Sequence, residues 1–431
     1  MMSTSTPELI RSGETYDEIE TFSPSQLADW QLGRVREVVA DAAAGNAFYA
    51  DRWQEAGIDG AALAGWDDFR RLPIIAKPDL VAAGENWSTR RGPVAFSTRG
   101  TSGEPLVVWL DTSEAETFLP PTMRGYWWAG FRPGETALMQ SPAWHRLAAM
   151  EGRSVVAFGG RVAYFWGSGG PQYANHFVDA LERVRPEYVT TTAPFVISLV
   201  RRLDDEEIDP QELFASVRSL TVVGLPLTPQ LRQHLSDRLG AELFERSGTQ
   251  EGAAADECSH HTAPHVHADV CHLEVLDEDG APVAEGSRGR LVVTKLHAEG
   301  DPVVRYDTGD IAELFNEPCS CGRELPRIKI YGRPESSVDV AGRTVTAYDV
   351  RSCVDADPDL VGRLVLLVRD QAGEADVLSV AIEGDPHNVD GVEKRLSEHL
   401  GIEKVDFSWL GNARMAWGFR QVIDKSEVQQ R

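Results

Sequence analysis

Ser97-Thr98-Arg99-Gly100-Thr101-Ser102-Gly103-Glu104-Pro105 follows directly on the apolar Val94-Ala95-Phe96 and runs into the apolar Leu106-Val107-Val108-Trp109-Leu110. A cluster of small hydroxyl residues and glycines in this setting reads as a phosphate cradle. Glycine lets the backbone approach an anion and take positive φ, while successive N–H groups and Ser/Thr hydroxyls supply donors without desolvating a long side chain. The GxxxxGK[ST] spacing of a Walker A loop is absent, and no lysine lies within the run. The same composition also suits a polar hairpin turn between two strands, as Gly/Ser/Thr runs usually do.

Two later stretches decide between these readings: Phe244-Glu245-Arg246-Ser247-Gly248-Thr249-Gln250-Glu251 and Arg305-Tyr306-Asp307-Thr308-Gly309-Asp310. Taken in order, the three stretches resemble the S-S-G-T-T-G-K-P phosphate loop, the Y-G-x-[ST]-E motif and the R-Y-x-T-G-D motif of the adenylate-forming enzymes, the superfamily of acyl-CoA ligases. Asn46-Ala47-Phe48-Tyr49 and Leu72-Pro73-Ile74-Ile75-Ala76-Lys77-Pro78-Asp79-Leu80 are similar to the N-terminal pattern of the phenylacetate-CoA ligase branch. By themselves those residues read as a core helix and a connecting loop.

The resemblance spans nearly the whole chain and implies an α/β fold in two parts. Residues 1–332 would form a large N-terminal α/β adenylate-forming domain that binds nucleotide and acid and carries a zinc-binding insertion. Residues 333–431 would form a small mobile α+β C-terminal domain. The implied enzyme is an ATP-dependent AMP-forming ligase, using Mg²⁺ with ATP and releasing AMP. It would activate an aryl or arylalkenyl carboxylic acid as acyl-AMP and then transfer the acyl group to CoA.

Composition agrees with such an enzyme. A chain of 431 residues with 42% hydrophobic residues buries a sizeable core and is expected to form more than one domain. The formal charge of −25 argues against a nucleic-acid or anionic-membrane surface, so phosphorylated substrates must be drawn in by local positive groups. The first twenty residues are polar and acidic with no apolar h-region, and no run of 18 apolar residues occurs, which predicts a cytoplasmic protein without a membrane span. The oligomeric state is left open, a homodimer included.

Local patterns predict a helix after Ser23-Pro24-Ser25, with Leu27, Trp30, Val35, Val38 and Ala42 at helical spacing. Strand-like runs at Ala137-Leu138-Met139, Val155-Val156-Ala157-Phe158 and Tyr188-Val189-Thr190 alternate with a helical stretch from His176 to Val184, which is α/β logic. Leu231 to Leu239 reads as a helix stopped by Gly240, with a strand from Ala241 leading into the Glu251 motif. In the last part, Leu364 to Val368 and Val377 to Ile382 read as strands and Val392 to Leu400 as a helix.

Site residues follow from the resemblance. Ser97, Thr98, Gly100, Thr101, Ser102 and Gly103 would cradle the phosphates. Gly224-Leu225-Pro226 falls where relatives carry a G-[AG]-E turn against the adenine, and Ser247, Gly248, Thr249 and Gln250 lead into Glu251. Glu251 would bind the Mg²⁺ carried by the ATP phosphates, a role suited to a hard carboxylate oxygen. Asp310, at the end of an expected strand from Val303, would take both ribose hydroxyls, and Arg333 would contact ribose or phosphate. Trp144, His145 and Gly169 fall where the acid pocket forms, in an aromatic-rich region that otherwise reads as core. The hinge position falls on Glu335, after Pro334 whose fixed φ stiffens the pivot.

Five cysteines in a chain of this length suggest metal rather than a disulfide framework. Cys258 and His265, with Cys319-Ser320-Cys321 later, are two Cys/His pairs of a kind that close a tetrahedral zinc site. The phenylacetate-CoA ligase branch has a matching C-x₆-H pair and C-x-C, which implies a structural Zn²⁺. His260, His261, His267, His272 and Cys271 lie close in sequence, so a different set of four remains open, as do unliganded buried thiols.

The departures from the family are concentrated around the phosphates. Relatives end in G-K-x-[KR]-R-V-x-D, where the lysine reaches the acid carboxylate and α-phosphate; the corresponding stretch here is Trp417-Gly418-Phe419-Arg420-Gln421-Val422-Ile423-Asp424, with Gly418 at the lysine position. Glu104 stands where lysine is common in the phosphate loop, and Arg99 where serine is. Arg420 first and Arg99 second are the cations expected to replace the lysine. A second reading keeps adenylation and changes the partner, to an amide ligase or a nitrite-activating diazotase acting on an aryl amine. A third is a non-catalytic nucleotide-binding homologue.

Overall fold

The computed structural model describes residues 15–88, 92, 94–97, 106–140, 146–164, 171–249, 251–297, 299–369, 377–384, 390–410 and 421–424. The chain folds into two compact units, Met1–Tyr164 with Arg246–Lys329, and Phe165–Glu245 with Ile330–Arg431. The fold is α/β, with parallel strand pairs beside helices and antiparallel ladders elsewhere.

In the first unit, the helix Pro24–Gly45 starts where the sequence predicts. Ser23 accepts from the Gln26 N–H while Gln26 reaches back to the Ser23 N–H, a capping box that satisfies two of the otherwise orphaned donors. Its buried face carries Leu27, Val35, Val38, Val39 and Ala42. Thr136–Met139 pairs in parallel with Arg161–Tyr164. Cys271–Leu276, Gly289–Lys295 and Tyr306–Phe315 form an antiparallel ladder, and Ile75–Ala76 joins Tyr306 and Asp307 in parallel. Val94–Ser97 pairs antiparallel with Val107–Leu110, Ser97 opposite Val107.

Two local expectations need correction. Val155-Val156-Ala157, expected as a strand, ends the helix Arg146–Ala157. Val155 and Phe158 are buried while Val156 is 60% exposed, a helical spacing that a four-residue apolar run does not reveal by itself. Asp310 does not end a strand from Val303; the strand is Tyr306–Phe315 and Asp310 lies in its middle.

In the second unit, Tyr188–Thr192 pairs in parallel with Ser219–Val223, flanked by the helices Ala193–Asp205 and Pro229–Leu239. Gly240 ends the latter in the left-handed region at φ 65°, where a side chain is disfavoured. Further on, Val365–Arg369 pairs with Leu378–Ile382 and with Val422–Asp424, and Leu378–Ile382 with Val405–Trp409. The helices Ala347–Val354 and Asp390–Leu400 pack on that sheet through Val350, Val354, Val392 and Leu396 against Leu367 and Val380. Within this unit the Thr228 hydroxyl donates to Asp355 at 2.8 Å, and Arg201 forms a two-pronged pair with the buried Glu383.

Candidate active site and metal centre

Glu251 stands in the tight turn between Glu242–Gly248 and Ala254–Asp256. Ser247 pairs with Ala255 and Gly248 with Ala254. The Thr249 N–H then donates to the Ala253 carbonyl at 3.0 Å, and the Thr249 hydroxyl accepts from the Ala253 N–H at 3.3 Å. A Cβ on Gly248 would lie 3.0 Å from the Ala253 carbonyl, so a larger residue there would press on the turn. Glu251 lines a narrow cavity whose other walls are mostly apolar, among them Trp87, Leu106, Trp109 and Val303. Leu106 and Trp109 belong to the segment that follows the phosphate-loop stretch, so Glu251 and that segment line one small space.

Behind the motif strand, Arg246 is clamped by two buried acids, its Nε donating to Asp256 and its Nη1 to Glu151, both at 2.6 Å. Burial pushes both carboxyls up. At Asp256 the Arg246 guanidinium and the His267 ring outweigh burial and hold it below the usual range, while Glu151 stays raised. The motif is thereby tied to the helix that carries Glu151.

Asp310 is buried on the face it shares with Tyr306 and Thr308, and its N–H donates to the Thr308 hydroxyl at 3.1 Å. Arg305, the first residue of the same motif, has a structural task. Held at φ 49°, it makes a two-pronged pair with Glu274 at 3.0 and 3.1 Å and donates to the carbonyls of Arg70 and Leu72. It binds the 70–72 segment to the ladder.

Gly224, Leu225, Pro226 and Arg333 belong to the second unit. Gly224 takes φ 97° to leave its strand, and Glu245 fixes the turn that follows by accepting from the Leu227 N–H at 3.0 Å and from Arg232 at 2.7 Å. The Arg333 carbonyl accepts from the Ser336 N–H at 2.8 Å, and Arg369 donates to the Glu335 and Ser337 carbonyls, each at 2.8 Å. Ser97 ends its strand at the mouth of the loop. Thr98, Arg99, Gly100, Thr101, Ser102, Gly103, Trp144, His145, Gly169, Gln250, Gly418 and Arg420 lie outside the described residues.

The structure brings Cys258, His265, Cys319 and Cys321 together, with their ligand atoms all within 4.8 Å of one another. Zinc–ligand bonds of about 2.3 Å to sulfur and 2.0 Å to nitrogen give tetrahedral edges of about 3.8 Å between sulfurs and about 3.5 Å between sulfur and nitrogen. The Cys258–Cys319 sulfurs are 3.9 Å apart, and Cys321 Sγ lies 3.4 Å from His265 Nε2. His265 Nδ1 donates to the Leu325 carbonyl at 3.3 Å, which turns Nε2 toward the thiols, the outer-shell arrangement expected of a metal-binding histidine. The donor set therefore fits zinc. The hydrogen bond from Cys258 pushes the Cys321 thiol far below its ordinary range and raises Cys258 correspondingly.

The neighbouring histidines have other tasks. His267 Nε2 donates to Asp256 at 2.7 Å, its Nδ1 faces Arg124 at 3.1 Å, and burial pushes its pKa down. The fully buried Arg124 also holds Asp17 and Asp269. Trp128 lies edge-on to His265 and stacked on His267, and its Nε1 donates to Glu20, which also pairs with Arg323 of the Cys319–Cys321 loop.

One polar cluster escaped the sequence reading. Lys295, at the end of the apolar strand Gly289–Lys295, is 4% exposed, and its Nζ donates to Glu114 at 2.5 Å and to the carbonyls of Asp301 and Glu299 at 3.2 and 3.3 Å. The signal was a lysine inside Leu291-Val292-Val293-Thr294-Lys295-Leu296, a charge in a run that otherwise reads as core.

Residues 98–297 match the family model of AMP-binding enzymes. The chain is an ATP-dependent AMP-forming ligase of the adenylate-forming class. Within that class it is similar to the phenylacetate-CoA ligases. It is 28% identical over 388 residues to the phenylacetate-coenzyme A ligase of Thermus thermophilus, covering 85% of this chain and 83% of that one. It is 24% identical over 407 residues to the enzyme of the same name from Aromatoleum evansii, covering 90% and 88%. In fold it is similar to a 2-hydroxyisobutyryl-CoA ligase structure, with a TM-score of 0.83, 20% identity and coverage of 99% and 98%.

Proposed function

We propose that the protein activates an aryl or arylalkenyl carboxylic acid as its acyl-adenylate and passes the acyl group to CoA. The observation that carries this reading is the Glu251 carboxylate at the edge of an apolar-walled cavity beside the segment that follows the phosphate-loop stretch. The similarity to two phenylacetate-coenzyme A ligases supports the aryl acid and CoA.

In the first step the substrate carboxylate attacks the α-phosphorus of ATP, forming an acyl–phosphate bond as the bond to pyrophosphate breaks. Mg²⁺ travelling with the nucleotide supplies positive charge as pyrophosphate departs. Glu251 offers the hard oxygen that holds that ion, fixed by a turn closed on both sides by hydrogen bonds. Asp310 accepts from the ribose hydroxyls, and Arg420, with Arg99 second, supplies the charge that lysine gives in relatives. In the second step the CoA thiolate displaces AMP. Residues 333–431 act as the small domain that changes place between the steps. Cys258, His265, Cys319 and Cys321 hold a structural zinc; four protein ligands leave no open position for chemistry.

One observation favours a second reading: Gly418 at the lysine position makes room for a different partner, an amine or nitrite, in place of CoA. The test is incubation with ATP, Mg²⁺ and a panel of aryl acids and aryl amines, with CoA or nitrite, products being identified by mass. An aryl-CoA thioester with one pyrophosphate released per turnover is expected. An amide or a diazonium product moves the assignment to the second reading, and absence of pyrophosphate release with every acid and with nitrite overturns both.

A further inference from the structure

Lys295 and Glu251 line the same narrow cavity, and Lys295 is the one cation among the described residues that does. Asp301 lines it too, and Glu114, 1% exposed, accepts from Lys295 Nζ through its Oε1. Lys295 is thus paired with one buried acid beside largely apolar walls, where charges act on one another far more strongly than in water.

The backbone is shaped around this lysine. Gly252, next to Glu251, takes φ 125°, and a Cβ there would lie 2.7 Å from Lys295 Cγ. Gly300 takes φ 71°, and a Cβ there would lie 2.7 Å from Glu114 Oε2 and 3.5 Å from Lys295 Nζ. The lysine stem therefore lies along the backbone of the Glu251 turn, while its head is bound to Glu114 and to the carbonyls of Glu299 and Asp301. A single side chain braces the turn at one end and sets the charge of the cavity at the other. The acid side is further organised by Ser88, whose hydroxyl donates to Asp301 Oδ2 at 2.8 Å, and by His297, whose Nε2 lies 4.0 Å from Glu114 Oε1.

We propose that Lys295 is a positioning residue for the adenylation step: it holds the Glu251 turn in place and offsets part of the negative charge there, so that the metal carried by the nucleotide binds and leaves with pyrophosphate. This rests on the reading of Glu251 as the carboxylate that meets Mg²⁺. It also gives that side of the cavity a fixed cation in a chain that lacks the family's C-terminal lysine.

The test compares wild type with Lys295→Met, Glu114→Gln and the double variant. Three quantities are measured: melting temperature, the Mg²⁺ concentration that half-saturates ATP binding by calorimetry, and pyrophosphate release. Lys295→Met strands the buried Glu114 carboxylate and is expected to melt lower. The double variant replaces the pair by neutral groups of similar shape and is expected to recover most of that loss. With the ammonium gone, a divalent cation at Glu251 meets less repulsion. Half-saturating Mg²⁺ is expected to fall at least threefold, and turnover at least tenfold, in both Lys295→Met and the double variant. A purely structural role predicts that the double variant regains turnover together with its melting temperature, and that result overturns the proposal. A rise in half-saturating Mg²⁺, or turnover within threefold of wild type in Lys295→Met, overturns it as well. If wild type releases no pyrophosphate with any acid or with nitrite, the adenylation reading fails separately, while the Mg²⁺ dependence of ATP binding still reports on Lys295.

Discussion

The Cys258–His265–Cys319–Cys321 cluster and the Glu251 turn lie in the same unit and are built on opposite terms. In the cluster, four candidate ligand atoms face one another, with Leu325, Arg323 and Trp128 against His265 and Cys321. Glu251 lines a cavity, its supports being the backbone of its own turn and a lysine stem packed against Gly252. A closed site concentrates its effect on stability; an open one concentrates it on turnover. The contrast is falsifiable at each end.

The largest effect belongs to the closed site. Metal analysis of the purified protein is expected to give about one zinc per chain, and Cys321→Ser or a strong chelator to unfold the first unit. Structural zinc contributes apparent binding free energies of about 10–16 kcal/mol in zinc-finger peptides, comparable with a domain's whole stability of about 5–15 kcal/mol. A metal-free wild type with unchanged heat stability would remove one side of the contrast.

Next comes the open site. Glu251→Gln keeps the shape of the side chain and removes its charge, so turnover in pyrophosphate release is expected to fall by about 10²–10³ with KM for ATP little changed, because metal charge matters most as pyrophosphate departs. Its melting curve should overlay wild type. Equal losses of stability and activity would mean that Glu251 is a structural residue like the cysteines. Asp310→Ala is expected to show the converse kinetic pattern, with KM for ATP up by about 10–100-fold, the size of a lost charge-assisted hydrogen bond, and turnover largely kept. A change in turnover alone would put Asp310 at the reacting phosphates instead of the ribose.

Much of this was legible in the sequence, for reasons that differ by residue. The capping box at Ser23 and the glycine stop at Gly240 are local signals and appear as the pattern predicts. The metal set was narrowed only by folding, since five further Cys and His residues stood close in sequence and only the pairing of His265–Val266 with its neighbours turns His265 to the thiols while His267 goes to Asp256. Val155-Val156-Ala157 misled because a short apolar run carries no period. Arg305 and Lys295 were illegible for a different reason. Their partners, Glu274 and the 70–72 carbonyls for one and Glu114 for the other, lie 31 to 235 residues away in sequence, so a charge in an apolar strand signals a buried partner without naming it.

The smallest effect sharpens the contrast from the side of the histidines, by testing that His272 is a packing residue and not an alternative ligand. Its ring lies against Trp66 at 4.6 Å and edge-on to Phe69 at 5.7 Å. Its Nδ1 donates to Gln31 Oε1 at 2.9 Å, the Gln31 amide being oriented by the Ala268 carbonyl at 2.8 Å. Burial first, then Arg70 and Arg305, push its pKa down to about 4. The unfolded chain, with an ordinary histidine pKa of about 6.5, takes up the proton first as pH falls. Stability from the neutral ring is therefore fully present above about pH 6.5 and is lost as pH falls toward 4, at about 1.4 kcal/mol per unit, or about 2 kcal/mol between pH 6.5 and 5. His272→Phe keeps an aromatic ring in the slot and has no proton to take up, so its urea midpoint should fall less steeply than wild type over that interval, with zinc content unchanged. Parallel slopes would show that the ring is not held neutral, and a loss of zinc in His272→Phe would return His272 to the ligand set and break the assignment of His265.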